Sequence, residues 1–321
     1  MGKFLFKFVI FLLVGFVLGE VVVRVWHLTS EVPKRYLDAS NIQRYNPKQQ
    51  GYWKGGKHGW ATNELGWTGT LPENYENLVT VIGDSFIENF MNPADCHQDL
   101  LLKARVPEMN FVEAARSGVS FIEAMEIANS MDSLKPQLHL IYVNPTDFTE
   151  SVREITVHSD ITQVDLTNKK VVAGIMKSAR LKSMLYNVKF AYYLFQRFPL
   201  NEIKFNVAAH APAKTIQQPD HSSHIKSLMQ FVKEKYNVQN KIIVFHPNLP
   251  ETLKQEVQDA GFKTISLDSE NQADWTFVYD HHWTCYGHSQ AADQVSLHLQ
   301  KWLASKQLSN YEASNVPVEA D

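Results

Sequence analysis

Short apolar runs alternate with segments of helical spacing along most of this chain. The clearest run, LVTVI at residues 78–82, stops at Gly83-Asp84-Ser85, and a helical pattern then extends to about residue 104. A second run at 110–114 ends near Ser117-Gly118 and precedes a helical pattern over 121–131. A third, LHLIYVNPTDF, occupies 138–148. Further on, the alternation resumes with a helix at 224–236, a strand at 241–247, a helix at 250–260, a strand at 263–267 and a last helix from about 286 to 304. Apolar runs of this length have no polar face to turn to water. Strands of that kind, separated by helices, predict an α/β fold whose parallel sheet is covered on both faces.

Four segments depart from the alternation. Residues 1–27 carry Lys3 and Lys7, then an apolar run from Phe8 to Gly19, a break at Glu20 and a resumption at Val21-Val22-Val23. The reading is a transmembrane anchor or uncleaved signal, preferred over a cleaved signal peptide, with the two lysines on the cytoplasmic side and the rest exported. Residues 28–77 form a polar, aromatic-rich connector expected to pack on the main domain. Its Trp53, Trp60 and Trp67 either cover core edges or stack on sugar rings. The main domain, 78–305, is interrupted by an insertion at about 149–222. That insertion holds a long helical pattern at 173–198, read as a helix packed on the domain in preference to a membrane-surface or lid element. Residues 306–321 are polar and expected to be disordered.

With 321 residues, the chain accommodates one large α/β domain with appendages, or two small ones. A formal net charge of −3 leaves no basic excess for nucleic acid, and neither a zinc-finger nor a P-loop pattern occurs. No solenoid-type repeat is present.

The candidate chemistry lies where strands end, because a doubly wound sheet collects functional groups at the carboxyl ends of its strands. Ser85 has two readings there. It is a turn or helix-cap residue, or it is a nucleophile held beside the N–H groups of a starting helix. The segment YDHHWTCYGH at 279–288 supplies partners for the second reading. Asp280 and His282 are two apart, so in extended chain they share a side, and Asp280 can orient His282 toward the serine. Asp274 is the rival orienter. Backbone N–H groups of Ser85 and Gly118, with a side-chain donor from Asn144 or Thr146, would hold an oxyanion. His281 and His288 are read as surface or supporting residues, His246 as a core-edge histidine and Asp84 as a turn residue. A zinc site from His281, His282 and His288 is disfavoured.

At these residues the sequence resembles the SGNH (GDSL-type) hydrolases. The resemblance rests on GDSF at 83–86, the glycine of RSGVS at 116–120, the polar turn NPTDF at 144–148 and DHHWTCYGH at 280–288, and it covers about 76–303. It implies a three-layer α/β/α, flavodoxin-like sheet, with Ser85 as nucleophile, Gly118 as oxyanion donor, His282 as base and Gly287 in the first turn of the last helix. In place of the family's usual Gly-x-Asn-Asp block, the asparagine position falls on Thr146, and Asn144 lies two earlier. The Asp-x-His-Trp form resembles the branch that includes alginate O-acetyltransferase-like and DHHW proteins.

The resemblance implies a membrane-anchored serine esterase on the periplasmic or extracellular side, removing O-acyl groups, O-acetyl foremost, from a glycan or lipid. Alternatives are a polysaccharide O-acetyltransferase on the same triad and a non-catalytic subunit of polysaccharide assembly. No cofactor and no metal are implied. Expected partners are the acylated substrate, the membrane through the N-terminal helix and polysaccharide-assembly proteins, with no nucleic acid. In the three-layer fold, Cys96 and Cys285 would rim the same cleft. They either form a disulfide or stay as two buried thiols.

Overall fold

The computed structural model describes residues 2–54, 58–176, 186–198, 221–247, 249–269 and 273–314. The chain begins with a 24-residue helix, Gly2–Val25 (α1). Two small antiparallel hairpins follow: Arg35–Leu37 (β1) with Gln43–Tyr45 (β2), and Gln50–Trp53 (β3) with His58–Ala61 (β4). The main sheet then starts at Leu78–Gly83 (β5) and continues through Asn110–Ala115 (β6), Leu138–Val143 (β7), Lys241–Phe245 (β10) and Lys263–Ser266 (β11). Between β7 and β10 the insertion contributes a hairpin, Gln163–Asp165 (β8) with Lys170–Val172 (β9), and a nine-residue helix, Lys189–Arg197 (α6).

All pairings in the main sheet are parallel, and the strand order is β11-β10-β7-β5-β6. In sequence terms this is the 2-1-3-4-5 doubly wound order, which reverses between β5 and β7 and opens a crevice at their carboxyl ends. Strand periodicity divides the core into two layers. Ile82, Val112, Ile141 and Phe245 pack toward the helices Phe121–Met131 (α4), Ser222–Lys235 (α7) and Glu251–Asp259 (α8). Val81, Phe111, Leu140 and Val244 pack the other way, toward Gln98–Arg105 (α3) and the last helix, Cys285–Ser314 (α9). Every residue of β5 and β7 is buried, as continuous apolar runs require.

Several elements differ from the sequence expectation. The helix expected to run from Ser85 to about 104 is instead a one-turn helix, Ser85–Glu88 (α2), a 3-10 turn at Ala94–Cys96 and then α3. Asn89 stops α2 by adopting the left-handed region at φ 55°. The third apolar run leaves the sheet at Val143, because Asn144 caps a new helix, Pro145–Glu150 (α5), with proline at its first position. Of the helix expected over 173–198, residues 173–176 are not helical, 177–185 lie outside the described residues, and 189–197 form α6, which packs on α1 and not on the domain as expected. The last helix continues through Ser314, into the segment expected to be disordered. No glycine or proline lies between Gly287 and Pro317 to stop it. Of the connector tryptophans, Trp67 is fully buried in the core, while Trp60 and Trp53 pack on Phe90. They cover core edges.

Cys96 and Cys285, 189 positions apart in sequence, form a disulfide with Cα atoms 5.2 Å apart. Asn89 and Asn92 reinforce the same junction, donating to the Cys96 and Trp283 carbonyls at 2.9 Å each. We expect the Cys96→Ser/Cys285→Ser double variant to lose about 2–5 kcal/mol of stability. Denaturant unfolding of both proteins under oxidising conditions measures it; coincident curves would show that the bridge contributes nothing.

Candidate active site

Strand β5 delivers the serine. Gly83 ends the strand where a Cβ would come within 2.5 Å of Ile87, so only glycine lets α2 fold back this tightly. Asp84 caps the helix, its Oδ1 accepting from the Phe86 N–H at 3.0 Å. Ser85 is the first helical residue. From 197 positions along the chain His282 arrives, with its Nε2 2.8 Å from the serine Oγ. Its Nδ1 lies 2.5 Å from Asp280 Oδ1, which also accepts the His282 backbone N–H at 3.0 Å. Since a carboxylate accepts only, Nδ1 carries the proton and Nε2 is left to accept from Ser85. Burial raises the Asp280 pKa, but the hydrogen bonds from His282 outweigh it and leave the carboxyl below its ordinary value. Asp274 takes no part in this chain; its carbonyl accepts from Thr284 Oγ1 at 2.5 Å.

Gly118 follows β6 with φ +78°, the left-handed region that glycine adopts without strain. Among the described residues, the backbone N–H groups of Ser85 and Gly118 have no protein partner. Asn144 and Thr146 are arranged differently. Asn144 Nδ2 donates to Asp84 Oδ2 at 2.8 Å and to Asp147 Oδ1 at 3.1 Å, committing both amide protons. Thr146 donates its hydroxyl to Asn144 Oδ1 at 2.6 Å. The amide therefore bridges two buried carboxylates. Burial pushes Asp84 up to about 6, and burial with the nearby Asp84 charge pushes Asp147 well above the carboxylate range. The spare N–H groups of the site are thus those of the backbone.

Sequence reasoning missed Glu88, because an acid in a one-turn helix carries no pattern. It is buried and accepts the Ser117 N–H at 2.7 Å, the Ser117 hydroxyl and the Tyr45 hydroxyl. The helix that carries Ser85 is thereby clamped to the loop that carries Gly118. Arg116 holds the loop from the other side, with its Nη1 2.6 Å from the Ser117 carbonyl and its Nη2 2.6 Å from Glu123.

An aromatic box packs against His282. The Phe86 ring lies 4.7 Å from His282 and 4.4 Å from His246, whose ring is 4.6 Å from Trp283. Burial, with the His282 charge adding to it, pushes His246 down to about 3. His288 is buried behind Trp283 and is also pushed well down, chiefly by burial. His281 is exposed. Among the described residues, one histidine–carboxylate group is compact enough for an ion, His97 with Asp99 and Glu113. Its contacts are already a network, His97 Nδ1 to Glu113 at 2.8 Å and Asp99 to Thr70 at 2.7 Å, which buttresses the turn at Cys96.

No protein-family profile matches the sequence, and no curated protein is significantly similar to it. Among solved structures the chain is similar to a psychrotrophic esterase, EstA, from Pseudoalteromonas sp., at 11% identity over 71% of this chain and 100% of that one, with a TM-score of 0.37. It is also similar to a structure described as a lipolytic protein of the G-D-S-L family from Desulfitobacterium hafniense, at 11% identity over 69% and 98% with a TM-score of 0.36. A third, described as an acylhydrolase from Bacteroides fragilis, shows 11% identity over 73% and 91% with a TM-score of 0.36. Likeness at this level assigns no side-chain role.

Two outcomes are expected from this geometry. Glu88→Ala should slow labelling of Ser85 by a fluorophosphonate by up to about 100-fold, as misplacement of reacting groups does, with Glu88→Gln retaining more of the rate. Equal rates in all three proteins would remove Glu88 from the site's support. The second concerns acid stability. His246 has a folded pKa of about 3 against an ordinary value of 6.5, so the unfolded chain binds its proton first. Stability is therefore lost as pH falls from about 6.5 toward 3. His246→Phe keeps an aromatic ring and removes this loss. Its urea midpoint relative to the parent should rise steadily through that window, and a constant difference would contradict the assignment.

Proposed function

We propose that this protein is an exported, membrane-anchored serine esterase that removes O-acyl groups, O-acetyl foremost, from a glycan or lipid. The observation that carries the reading is the unbroken hydrogen-bond chain from Asp280 through His282 to Ser85, at the carboxyl end of a buried parallel strand. A turn serine needs no such chain. Three of the four sequence blocks that resemble SGNH hydrolases start at the carboxyl ends of β5, β6 and β7, and the fourth, on the loop that leads into α9, brings His282 to Ser85, which supports the same reading.

The chemistry follows from the geometry. His282 Nε2 takes the Ser85 proton as Oγ attacks the ester carbonyl carbon. The carbonyl electron pair moves to oxygen, where the Ser85 and Gly118 N–H groups receive the developing negative charge. Asp280 holds the ring in the tautomer that leaves Nε2 open, and it stabilises the imidazolium. As the carbon–oxygen bond to the leaving alcohol breaks, Nε2 returns its proton to that oxygen. Water then repeats the sequence on the acyl-enzyme and releases the free acid. Side-chain exposures of 29% for His282 and 35% for Asp280 leave the triad open to a bulky acceptor. An acceptor hydroxyl in place of that water would give the O-acetyl transfer expected of the Asp-x-His-Trp branch.

Two features support the compartment and the anchor. Helix α1 is long and apolar enough to cross a bilayer, with a mean hydropathy of 2.5. The Cys96–Cys285 disulfide suits an oxidising compartment.

Labelling with a fluorophosphonate probe, followed by peptide mapping, should find the adduct on Ser85. Ser85→Ala and His282→Ala should each abolish turnover of an aryl acetate, a loss on the order of a million-fold by analogy with a serine protease. Asp280→Asn should cost about 10,000-fold, as the wrong tautomer does in such a triad. Asp274→Asn should leave activity near normal. Substantial activity in Ser85→Ala, or a larger loss at Asp274 than at Asp280, would overturn the assignment.

A further inference from the structure

Glu20 interrupts the apolar helix α1, and its partners lie far along the chain. Its Oε1 accepts the backbone N–H of Lys189 at 3.0 Å and its Oε2 that of Phe190 at 2.6 Å. These two residues open α6, whose cap position, Val188, offers no side-chain acceptor. Glu20 supplies from a different helix the cap that α6 lacks. Arg24, one turn further along α1, donates to Glu20 Oε1 at 2.8 Å and to the Asn187 carbonyl at 2.8 Å. Phe190 completes the joint. Its ring meets that of Phe16 with centroids 5.5 Å apart, and it lies so close over Gly19 that a Cβ there would be 2.8 Å away.

This joint holds α6 at the outer end of the apolar stretch. At 1.5 Å per residue, Phe16 is about 6 Å below Glu20 along the helix axis, so Phe190 reaches below the level of the carboxylate. None of the α6 residues is buried. Leu194 and Phe195 are exposed, as is Phe198 just beyond the helix, beside an α1 whose own apolar side chains are exposed along its length. Exposed Trp26, about 9 Å beyond Glu20 on the outer side, carries a ring type favoured at membrane interfaces. Facing water, this combined surface would be an uncompensated apolar patch. At a bilayer boundary it has a natural partner.

We propose that α6 lies in the boundary between headgroups and acyl chains of the same bilayer that α1 spans, as a second membrane contact tied to the anchor through Glu20. The inference rests on α1 being a membrane anchor. Continuity with the apolar surface of α1 identifies lipid as what covers the exposed side of α6. A single spanning helix leaves a domain to tilt about one point, and a second contact beside it restrains that tilt.

The test uses the full-length protein in phosphatidylethanolamine–phosphatidylglycerol nanodiscs, with one nitroxide at a time. Cys96 and Cys285 are paired, so Phe195→Cys, Phe11→Cys within α1 and Lys263→Cys on the exposed edge strand can each be labelled singly. Collision with oxygen, which partitions into lipid, is compared with collision with an aqueous nickel chelate. Position 195 should favour oxygen and be shielded from the chelate, at a depth of about 5–10 Å and shallower than position 11. Adding Glu20→Ala should return position 195 to the chelate. If position 195 is as open to the chelate as position 263 while position 11 stays shielded, α6 is not in lipid and the proposal fails with the anchor intact. Shielding of position 195 from both probes would mean a protein partner covers it, which also overturns the proposal. Chelate access at position 11 would remove the anchor itself, and the proposal with it.

Discussion

A parallel sheet buried on both faces has nowhere to display polar chemistry except beyond the ends of its strands. In this chain the constraint acts at the end of β5, where every residue through Gly83 is buried and Ser85 is half-exposed. The change takes two residues. It works because Gly83 has no Cβ to collide with Ile87, and because Asp84 caps the first turn of the helix by accepting the Phe86 N–H, leaving that of Ser85 free. The reversal of strand order between β5 and β7 leaves a crevice beside that point. The remaining parts of the site are brought to the serine.

Bringing them there takes more than sheet topology. His282 sits on a loop between a 3-10 turn at Ala273–Trp275 and α9, and a loop alone would leave its ring mobile. Three restraints act together: the disulfide at Cys285, the Asn92 hydrogen bond to the Trp283 carbonyl, and the packing of Trp283 beneath Phe86 and His246. On the opposite side, Glu88 and Arg116 fix the loop that bears Gly118. The restraints on the Gly118 loop recruit the connector. Tyr45 donates to Glu88, and Gln43 accepts from Arg116 through its carbonyl at 3.2 Å. The segment ahead of the domain thus acts as a brace for the site.

Burial shapes the electrostatics around Ser85, His282 and Asp280. Asp84 and Asp147 share the amide of Asn144, and desolvation pushes both toward the neutral form, which limits the negative charge close to the serine. His246 and His288 are kept neutral for the same reason. Asp280, more exposed and held by hydrogen bonds from His282, is the carboxylate favoured in its charged form.

The sequence alone determined the alternation of strands and helices, the parallel sheet, the apolar N-terminal helix and the pairing of Ser85 with the Asp280–His282 segment. The first three follow from local periodicity, and the last from residue types at a spacing that fits a serine–histidine pairing and from the resemblance to SGNH hydrolases. The break of the first helix at Asn89 and the exit of the third strand at Val143 depended on single backbone conformations, and short apolar patterns do not encode those. Tertiary structure alone decided the bonding of Asn144. Its two-residue offset from the family position said nothing about two carboxylates waiting on either side. Glu88 and Glu20 were likewise unreadable, for a shared reason. A lone acid in a helix looks the same whether it faces water, clamps a neighbouring loop or caps another helix, and its meaning depends on N–H groups that the fold delivers from 29 and about 170 residues away.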